Sequence, residues 1–432
     1  LTFLPMLEKL KGNFPAHMRH ALMADAAHMP ENTLDALCYE DLLAGHPTDR
    51  DWTDFDEETA AALCYTSGTT GDPKGVLYSH RSSVLHTLQV AASGFLTDMG
   101  RDTRILPVVP LFHVNAWGLP YLAPMVGADL VFPGPALDGD SLWTLMEDEG
   151  VTSAWGVPTI WQGLQASIAR RGRKPEALRQ IVVGGSAAAR SLIEQFERDG
   201  ISVNHAWGMT EMSPIGSHGA LPWQIDNLPF EQRMALKSMQ GRRAYGVEMK
   251  IVGDDGQRQP HDGKAKGELY VRGNNIAAGY YENAAATAKV IDAEGWFGTG
   301  DVASIRPDGY LQLHDRSKDL IKSGGEWISS IDLENIASAH PKVAQAAVIA
   351  VPHPKWDERP LLVVVAKSAD DLPTLDEIHA LMGEAMARWQ WPDDLVFVEQ
   401  LPLTATGKIS KLTLRETLVD YVHPDLRKDD NG

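Results

Sequence analysis

The sequence predicts an α/β protein with a large domain of mixed α/β sheets, a β-barrel-like subdomain and a separate small α+β domain. Short apolar runs alternate with helical patterns after about residue 60. The sequence becomes β-rich from 239 to 313, and a compact pattern of helices and strands follows residue 318. At 432 residues, 44% of them hydrophobic, the chain is long enough for two or more domains.

The first region combines buried strands with helices. Apolar runs predict strands at 105–109 and 181–183, and helical patterns occupy 141–149 and 191–198. Glycines follow the strand-like segments at Gly184, Gly185 and Gly208. Because ligands bind beyond the carboxyl ends of strands in open α/β sheets, these glycines indicate a candidate site.

The β-rich region contains strand-like segments separated by Asp-Gly and Gly-Asn turns, which predict the barrel-like subdomain. Beyond it, the pattern predicts a helix near 331–339, strands at 344–351 and 361–366, and a helix near 375–389. This unit is expected to fold as a separate small domain. Residues 428–432 are expected to form a disordered tail.

Composition excludes several classes of protein. The chain has 39 basic and 58 acidic residues and a formal net charge of −19, which disfavours nucleic acid and anionic membranes as partners. The two cysteines, Cys38 and Cys64, cannot form a disulfide framework. No apolar run reaches the roughly 20 residues of a membrane span, and the N-terminus has no signal-peptide pattern. A cytoplasmic protein with small-molecule partners is expected.

In the run YTSGTTGDPKG at 65–75, the ten residues after Tyr65 contain four Ser or Thr hydroxyls, three glycines and one lysine. Glycines turn backbone N–H groups toward an anion, hydroxyls donate further hydrogen bonds, and Lys74 adds a positive charge. The spacing differs from the Gly-x4-Gly-Lys-Ser/Thr nucleotide loop. A polar surface turn is the alternative, but the ordered run favours a phosphate-binding loop, with these candidate contacts: Thr66, Ser67, Gly68, Thr69, Thr70 and Lys74.

This loop resembles the signature of the adenylate-forming superfamily, which includes acyl-CoA synthetases, luciferases and adenylation domains of peptide synthetases. The resemblance extends over about residues 60–420, with all core motifs in the expected order. It implies a large AMP-binding domain at 1–315, a hinge at 316–318, a small mobile lid domain at 319–422 and a tail at 423–432. It also implies a substantial N-terminal subdomain, for which only about sixty residues precede the loop, so part of the large domain is expected to be missing.

The segment HAWGMTE is similar to the second core motif of the superfamily. In that motif an aromatic residue stacks on adenine, a threonine contacts phosphate and a glutamate binds Mg²⁺. The resemblance makes Glu211 the metal ligand, which suits a hard carboxylate oxygen. It implies nucleotide contacts for the rest of the segment: His205, Ala206, Trp207, Gly208, Met209 and Thr210.

Further matches imply the rest of the nucleotide site. Gly184, Gly185 and Ser186 match the backbone that passes close to adenine and the acyl group. Asp301 matches an aspartate that accepts hydrogen bonds from both ribose hydroxyls, and Arg316 matches the arginine that shares the ribose contact.

Two lysines are implied to serve different steps. Lys408, in the closing motif PLTATGK, resembles the lysine that bridges the substrate carboxylate and the α-phosphate. Lys318 occupies the hinge position, and Lys322 begins a loop that resembles the lining of the pantetheine tunnel in a second domain pose. The other residues implied in that loop are Gly324, Gly325, Glu326 and Trp327.

The acyl pocket is implied to lie beside His113, at the position of an aromatic gate, with Trp117 and residues 157–159 as walls. A buried structural histidine remains the alternative for His113. Because Trp117 and Met209 are bulky, we expect short- to medium-chain acids.

The motifs are closest to bacterial fatty-acyl-CoA ligases and to the 3-methylmercaptopropionyl-CoA ligase branch. The resemblance implies a catalytic cycle with a carboxylic acid, ATP, Mg²⁺ and CoA. A carrier-protein thiol as acceptor and an inactive nucleotide-binding fragment are the alternatives, and a homodimer is left open.

Overall fold

The computed structural model describes residues 3–66, 73–93, 100–219, 225–383, 385–404 and 406–426. The chain forms two compact units, Leu1–Asp56 and Glu57–Gly432. None of the helices in the described ranges is long and apolar enough to cross a membrane.

The first unit contains only short elements around a small apolar cluster of Leu4, Leu22 and Leu34. Two short parallel strands pair within it. In chain order its elements are a helix at Leu4–Lys9, a 3₁₀ turn at Lys11–Asn13, β1 (Ala21–Leu22), a 3₁₀ turn at Ala26–His28, β2 (Leu37–Cys38) and a helix at Tyr39–Leu43.

The second unit begins with an antiparallel hairpin and continues into a seven-stranded sheet. The hairpin strands are β3 (Ala60–Tyr65) and β4 (Gly75–Ser79). The sheet contains β5 (Arg104–Pro107), β6 (Asp129–Leu130), β7 (Ser153–Gly156), β8 (Gln180–Val183), β9 (Ser202–Gly208), β10 (Ile215–His218) and β11 (Arg242–Arg243). Its order is β11-β10-β9-β8-β7-β5-β6, and all pairs from β9 to β6 are parallel.

Both faces of this sheet are buried. Neighbouring residues of a strand point to opposite sides, and the residues on each side belong to a different hydrophobic cluster. Ile105 and Trp155 join one hydrophobic cluster, whereas Leu106 and Ala154 join the other. The helices that follow β4 and cover the sheet are His80–Ala92, Leu119–Val126, Gly139–Asp148, Pro158–Arg171, Arg190–Arg198 and Phe230–Lys237. The α/β architecture expected from the alternating pattern is confirmed.

The β-rich region forms a four-stranded antiparallel sheet in which each strand pairs with the next one along the chain. Its strands are β12 (Val247–Val252), β13 (Gly267–Gly273), β14 (Phe297–Ile305) and β15 (Leu311–Arg316), with a short helix at Ala284–Thr287. The expected barrel-like shape is corrected in one respect: the described strands do not close into a barrel. Apolar residues of this sheet, including Val271 and Phe297, pack into the same cluster as the seven-stranded sheet.

The C-terminal part is built on a mixed sheet of β16 (Ile321–Ser323), β17 (Glu326–Ile328), β18 (Val343–His353), β19 (Asp357–Ala366) and β20 (Asp394–Phe397), and its helices are Ser330–Ser338, Leu375–Met382 and Lys411–Thr417. The strand order is β17-β16-β19-β18, with β20 parallel to β19. The helix expected to reach 389 ends at Met382, followed by Gly383 with a φ of +29° and a 3₁₀ turn at Arg388–Gln390. Folded structure continues through a turn at Pro424–Leu426.

Candidate active site

A cavity of about 540 Å³ lies beyond the carboxyl ends of β8 and β9, where the glycine pattern predicted a site. It brings together residues from sequence motifs that are far apart in the chain. The sequence-predicted residues that line it are Thr66, Lys74, His113, Trp117, Gly184, Gly185, Ala206, Trp207, Gly208, Met209, Thr210, Glu211, Arg316, Lys318 and Lys408.

A second cavity, of about 260 Å³, shares Trp207, Arg316 and Lys408 with the first. It adds the predicted nucleotide-site residues Ser186, His205 and Asp301, and two of the predicted pocket-wall residues, Pro158 and Thr159. The ring of His205 is buried and its Nδ1 donates to the carbonyl oxygen of Ser238 at 3.2 Å. Burial lowers the pKa of His205 to about 4, so this ring is neutral at ordinary pH.

The ends of the phosphate loop are tied to each other. The backbone N–H of Thr66 donates to the carbonyl oxygen of Lys74 at 2.9 Å, and the N–H of Lys74 donates to Oγ1 of Thr66 at 3.0 Å. The hairpin of β3 and β4 therefore delivers both residues to the cavity. The other predicted loop residues, Ser67, Gly68, Thr69 and Thr70, lie outside the described ranges.

Asp301, on β14, is held by two cavity residues. Its Oδ2 accepts from the indole N–H of Trp207 at 2.9 Å, and its Oδ1 pairs with the guanidinium of Arg316 at 2.7 Å. Arg316 lies directly opposite Asp301 in the β14–β15 register. Burial raises the pKa of Asp301, although Arg316 and Trp207 oppose that rise. The candidate adenine-stacking and ribose-binding residues thus form one hydrogen-bonded group.

Glu211 lies in a 3₁₀ turn, Thr210–Met212, that is held from several sides. The hydroxyl of Tyr78 donates to the carbonyl oxygen of Thr210 at 2.5 Å, and the N–H of Ala277 donates to the carbonyl oxygen of Glu211 at 2.7 Å. The hydroxyl of Tyr280 donates to Oε1 of Glu211 at 2.7 Å. The carboxylate is therefore both buried and fixed in direction at the cavity wall.

Three glycines are required where backbones and side chains approach closely. A Cβ on Gly208 would lie 2.0 Å from the carbonyl oxygen of Pro214, and one on Gly184 would lie 3.0 Å from the ring of Trp117. A Cβ on Gly185, which has a φ of +83°, would lie 2.9 Å from Cε of Lys408. Larger residues at these positions would displace the cavity walls.

Lys408 enters the cavity from the C-terminal part of the chain. The carbonyl oxygen of the preceding residue, Gly407, accepts from the hydroxyl of Thr159 at 3.0 Å, which fastens the lysine loop to the helix Pro158–Arg171. Burial, followed by the nearby Arg316, lowers the pKa of Lys408 to about 8, while Asp301 and Glu211 act in the opposite direction. The ammonium is thus positioned among groups that would surround a bound anion.

His113 is both buried and part of the cavity wall. Burial and the positive charge of Lys408 lower the pKa of His113 to about 4. The following residues, Val114–Trp117, have φ values of +52°, +49°, +47° and +59°. This left-handed turn, which is costly for residues other than glycine, places the ring of Trp117 against Gly184.

The predicted second-step loop lies away from both cavities. Lys322 is exposed, and its ammonium lies 5.0 Å from the ring centroid of Trp327. In the hairpin of β16 and β17, Gly324 packs against the ring of Trp356. The residues that the structure does not bring to the cavity are Lys322, Gly324, Gly325, Glu326 and Trp327.

The residues that support the 3₁₀ turn of Glu211 through hydrogen bonds lie outside the sequence motifs. Tyr280 and Tyr78 are 69 and 132 residues away in sequence from the groups they contact. Tyr280 stands in the plain pair Tyr280-Tyr281, and Tyr78 lies in a strand whose apolar character explains it as core. The only sequence signal for either residue was a tyrosine near a motif.

A second cluster of metal-ligand types contains His353, His423 and Asp425. The N–H of Trp356 donates to Nδ1 of His353, and the N–H of Asp425 donates to Nδ1 of His423, each at 3.2 Å. The tautomer that fits these bonds has its hydrogen on Nε2 in each ring, and that of His423 donates to Asp393 at 3.2 Å. Since such a nitrogen has no free lone pair for a metal ion, this cluster fits an anchor for the chain segment at 423–426.

Two family models match the chain: AMP-binding enzyme over residues 6–281, and AMP-binding enzyme C-terminal domain over residues 332–408. The medium-chain-fatty-acid–CoA ligase of Ectopseudomonas oleovorans is 50% identical over 428 residues, which are 98% of this chain and 77% of that relative. The chain therefore belongs to the family of AMP-binding enzymes.

The relatives also define its branch of the family. The 3-methylmercaptopropionyl-CoA ligase of Ruegeria pomeroyi is 49% identical over 423 residues, which are 98% of this chain and 78% of the relative. Among solved structures, o-succinylbenzoate coenzyme A synthetase of Bacillus subtilis with ATP and a magnesium ion matches with a TM-score of 0.71 and 25% identity, over 87% of this chain and 74% of that one. The resemblance to acyl-CoA synthetases inferred from the motifs is confirmed.

Proposed function

We propose that this protein activates a short- to medium-chain carboxylic acid with ATP and transfers the acyl group to CoA. The reaction class is ATP-dependent acid–CoA ligation, on the strength of relatives of about 50% identity. Its cofactors are ATP, Mg²⁺ and CoA. The observation that carries the residue-level proposal is the presence of Lys408, Glu211 and the Trp207–Asp301–Arg316 group around connected cavities.

The nucleotide is proposed to lie along the shared wall of the two cavities. Trp207 offers an indole face for adenine, and the carboxylate of Asp301 retains lone pairs for the two ribose hydroxyls. Lys74 and Thr66 would contact phosphate oxygens at the far end of the larger cavity. Ser186, Ala206 and the glycines beside them would provide backbone close to the base.

The donor set of Glu211 fits Mg²⁺. Its buried carboxylate lines the cavity and offers hard oxygen atoms, of which Oε2 accepts no hydrogen bond within the described ranges. A bound Mg²⁺ would neutralise part of the phosphate charge. Thr210, beside Glu211, would orient the phosphate chain through its hydroxyl.

In the proposed first step, a carboxylate oxygen of the acid forms a bond to the α-phosphorus of ATP. The bond from that phosphorus to the oxygen bridging to the β-phosphate breaks, and pyrophosphate leaves. The two reactants are both anions and repel each other. The ammonium of Lys408 would offset that repulsion most where charge shifts in the transition state.

In the proposed second step, the thiolate of CoA attacks the acyl carbon, the bond from that carbon to the AMP oxygen breaks, and AMP leaves. The exposed position of Lys322 and its glycine loop suits this step only after a rotation about residues 316–318. This division between a large domain and a lid at 319–422 is part of the proposal.

The acid is proposed to occupy the end of the larger cavity that is bounded by His113, Trp117 and Met209. The ring of Trp117 packs against Gly184. A pocket closed by these bulky side chains favours short to medium chains, in keeping with the names of the two relatives, which act on medium-chain fatty acids and 3-methylmercaptopropionate. A cytoplasmic location and a homodimer complete the proposal.

Product analysis tests the proposed function. The protein is incubated with ATP, Mg²⁺, CoA and carboxylic acids of increasing chain length, and thioesters are identified by mass. We expect acyl-CoA and AMP in equal amounts, with the highest specificity constants for short to medium acids. Acyl transfer to a carrier protein but not to free CoA would contradict CoA as the acceptor. ATP binding without pyrophosphate release would support an inactive fragment. A preference for long-chain acids would contradict the pocket assignment.

A further inference from the structure

We propose that Tyr280 is a positioning residue that keeps the metal-binding carboxylate of Glu211 and the phosphate-binding ammonium of Lys74 apart and aimed at Mg·ATP. Its hydroxyl donates to Oε1 of Glu211 at 2.7 Å. The ammonium of Lys74 lies 4.9 Å from the centroid of the same ring. This inference rests on the proposed function and adds a residue to its nucleotide site.

The hydrogen bond from Tyr280 stabilises the buried carboxylate of Glu211. Glu211 is 4% exposed, and Tyr280 is its one side-chain donor within the described ranges. A buried carboxylate without a donor would be strongly disfavoured. Because the hydroxyl occupies Oε1, the orientation of the carboxylate is set and Oε2 remains available for a cation.

The ring of Tyr280 gives the ammonium of Lys74 a contact other than the carboxylate of Glu211. An ammonium and a carboxylate that meet inside a cavity attract each other strongly, because the local dielectric constant is low. A direct ion pair of Lys74 with Glu211 would use up both charges before the nucleotide arrives. Lys74 instead lies over the ring of Tyr280, and it forms no ion pair with any carboxylate in the described part of the chain.

Tyr280 is itself held in place. Its backbone N–H donates to Oγ1 of Thr287 at 2.9 Å, and its ring meets that of Phe297 edge to face, with centroids 6.3 Å apart. The ring is buried in the cluster that joins the two sheets. It can therefore act as a fixed spacer between two charged groups.

The test measures the Mg²⁺ dependence of ATP binding by calorimetry, without any acid substrate. Tyr280→Phe keeps the spacer and removes the donor, and Tyr280→Leu removes both. We expect Tyr280→Phe to raise the Mg²⁺ concentration at half-effect by about tenfold or more, as for other residues that orient a metal ligand. Tyr280→Leu should in addition weaken ATP binding at saturating Mg²⁺, because Lys74 then pairs with Glu211.

Two controls separate positioning from folding. Tyr281→Phe, at the exposed neighbouring tyrosine, should leave both binding curves unchanged. In a Glu211→Gln background, the further change Tyr280→Phe should have no effect on the Mg²⁺ dependence, since the carboxylate that it orients is gone. Melting temperatures identify variants that fail to fold.

The outcomes distinguish the two proposals. A wild-type Mg²⁺ dependence in folded Tyr280→Phe would overturn the positioning role and leave the proposed function standing. The same Mg²⁺ shift in the presence and absence of the Glu211 carboxylate would also overturn it. Wild-type protein that binds ATP with no dependence on Mg²⁺ would overturn the nucleotide site and this inference together.

Discussion

The ammonium of Lys408 lies where two anions of the proposed reaction would meet, and its surroundings make its charge sensitive to pH. Burial and Arg316 disfavour the charged form, whereas Asp301 and Glu211 favour it. The balance lowers the pKa of Lys408 to about 8. An unperturbed lysine, at about 10.4, would remain charged over the whole physiological range.

The pH profile of the first step should therefore show an alkaline limb. Lys408 is charged below about pH 8 and becomes a neutral amine above it, so kcat/KM for ATP should fall as the pH rises through that value. His113, whose pKa is lowered to about 4, stays neutral throughout and adds no limb. The measurement is acid-dependent pyrophosphate release. A flat profile up to about pH 10 would show that this step does not depend on the charge of Lys408.

Gly185 controls the approach of Lys408. In Gly185→Ala, the new Cβ would lie 2.9 Å from Cε of Lys408 and 3.1 Å from Val157, so the lysine must shift. A displacement near 1 Å can cost about 100-fold in rate, and we expect a loss of that order in pyrophosphate release. Gly172→Ala is the matched control, because Gly172 has a φ of +70° with nothing within 4 Å. Equal losses in the two variants would assign the effect to backbone strain.

At the scale of elements, the helix Pro158–Arg171 supports the loop that carries Lys408. Thr159→Val removes the hydrogen bond to the carbonyl oxygen of Gly407 while preserving side-chain volume. Since a single hydrogen bond contributes about 0.5–1.5 kcal/mol, we expect a roughly threefold to tenfold slower first step. Thioester formation from supplied acyl-adenylate should be unaffected. Thr144→Val, at an exposed threonine of the helix Gly139–Asp148, is the control. An equal slowing of both steps in Thr159→Val would refute a role in docking the Lys408 loop.

The left-handed turn Val114–Trp117 sets the depth of the proposed acyl pocket. Trp117→Ala should open the wall beside Gly184 and move the optimum toward longer acids, with little change in ATP affinity. Specificity constants over a series of acids measure the shift. Trp389→Ala, at an exposed tryptophan outside both cavities, should leave the series unchanged. An unchanged optimum in Trp117→Ala would place the acyl group elsewhere.

Sequence patterns predicted elements well where one face or both faces are apolar. The runs at 105–109 and 181–183 became central strands, because consecutive apolar residues are needed on both sides of a covered parallel sheet. The helix predicted to 389 was too long, since periodicity continues past Gly383 although the backbone there is not helical. The barrel-like expectation followed from strand content alone, which does not determine closure.

The site was predictable in so far as it is made of ordered motifs. Lys408, Glu211 and Asp301 are at fixed positions in such motifs, and the fold brings them to one place. Tyr78, Thr159 and Tyr280 act through contacts with distant parts of the chain. The sequence around a residue does not show which distant residue it contacts, so these pairs are seen only in the structure.

At the scale of the molecule, the arrangement of the C-terminal part matches one step of the proposed cycle. Lys408 is inside the cavity and Lys322 is on the surface. Across the proposed hinge, Oδ2 of Asp315 accepts from the hydroxyl of Ser330 at 2.6 Å. Within the C-terminal part, Lys411 pairs with Glu334 at 2.7 Å. A rotation about 316–318 would have to break the contact of Asp315, so this buried group favours the adenylating arrangement.

The central claim is that the protein forms an acyl-adenylate reversibly at the cavity that contains Lys408. Exchange of labelled pyrophosphate into ATP, measured without CoA, tests that claim most directly. The account predicts exchange that depends on a carboxylic acid and on Mg²⁺ and that is abolished in folded Lys408→Ala. Exchange without any acid, or exchange that survives in Lys408→Ala, would contradict it.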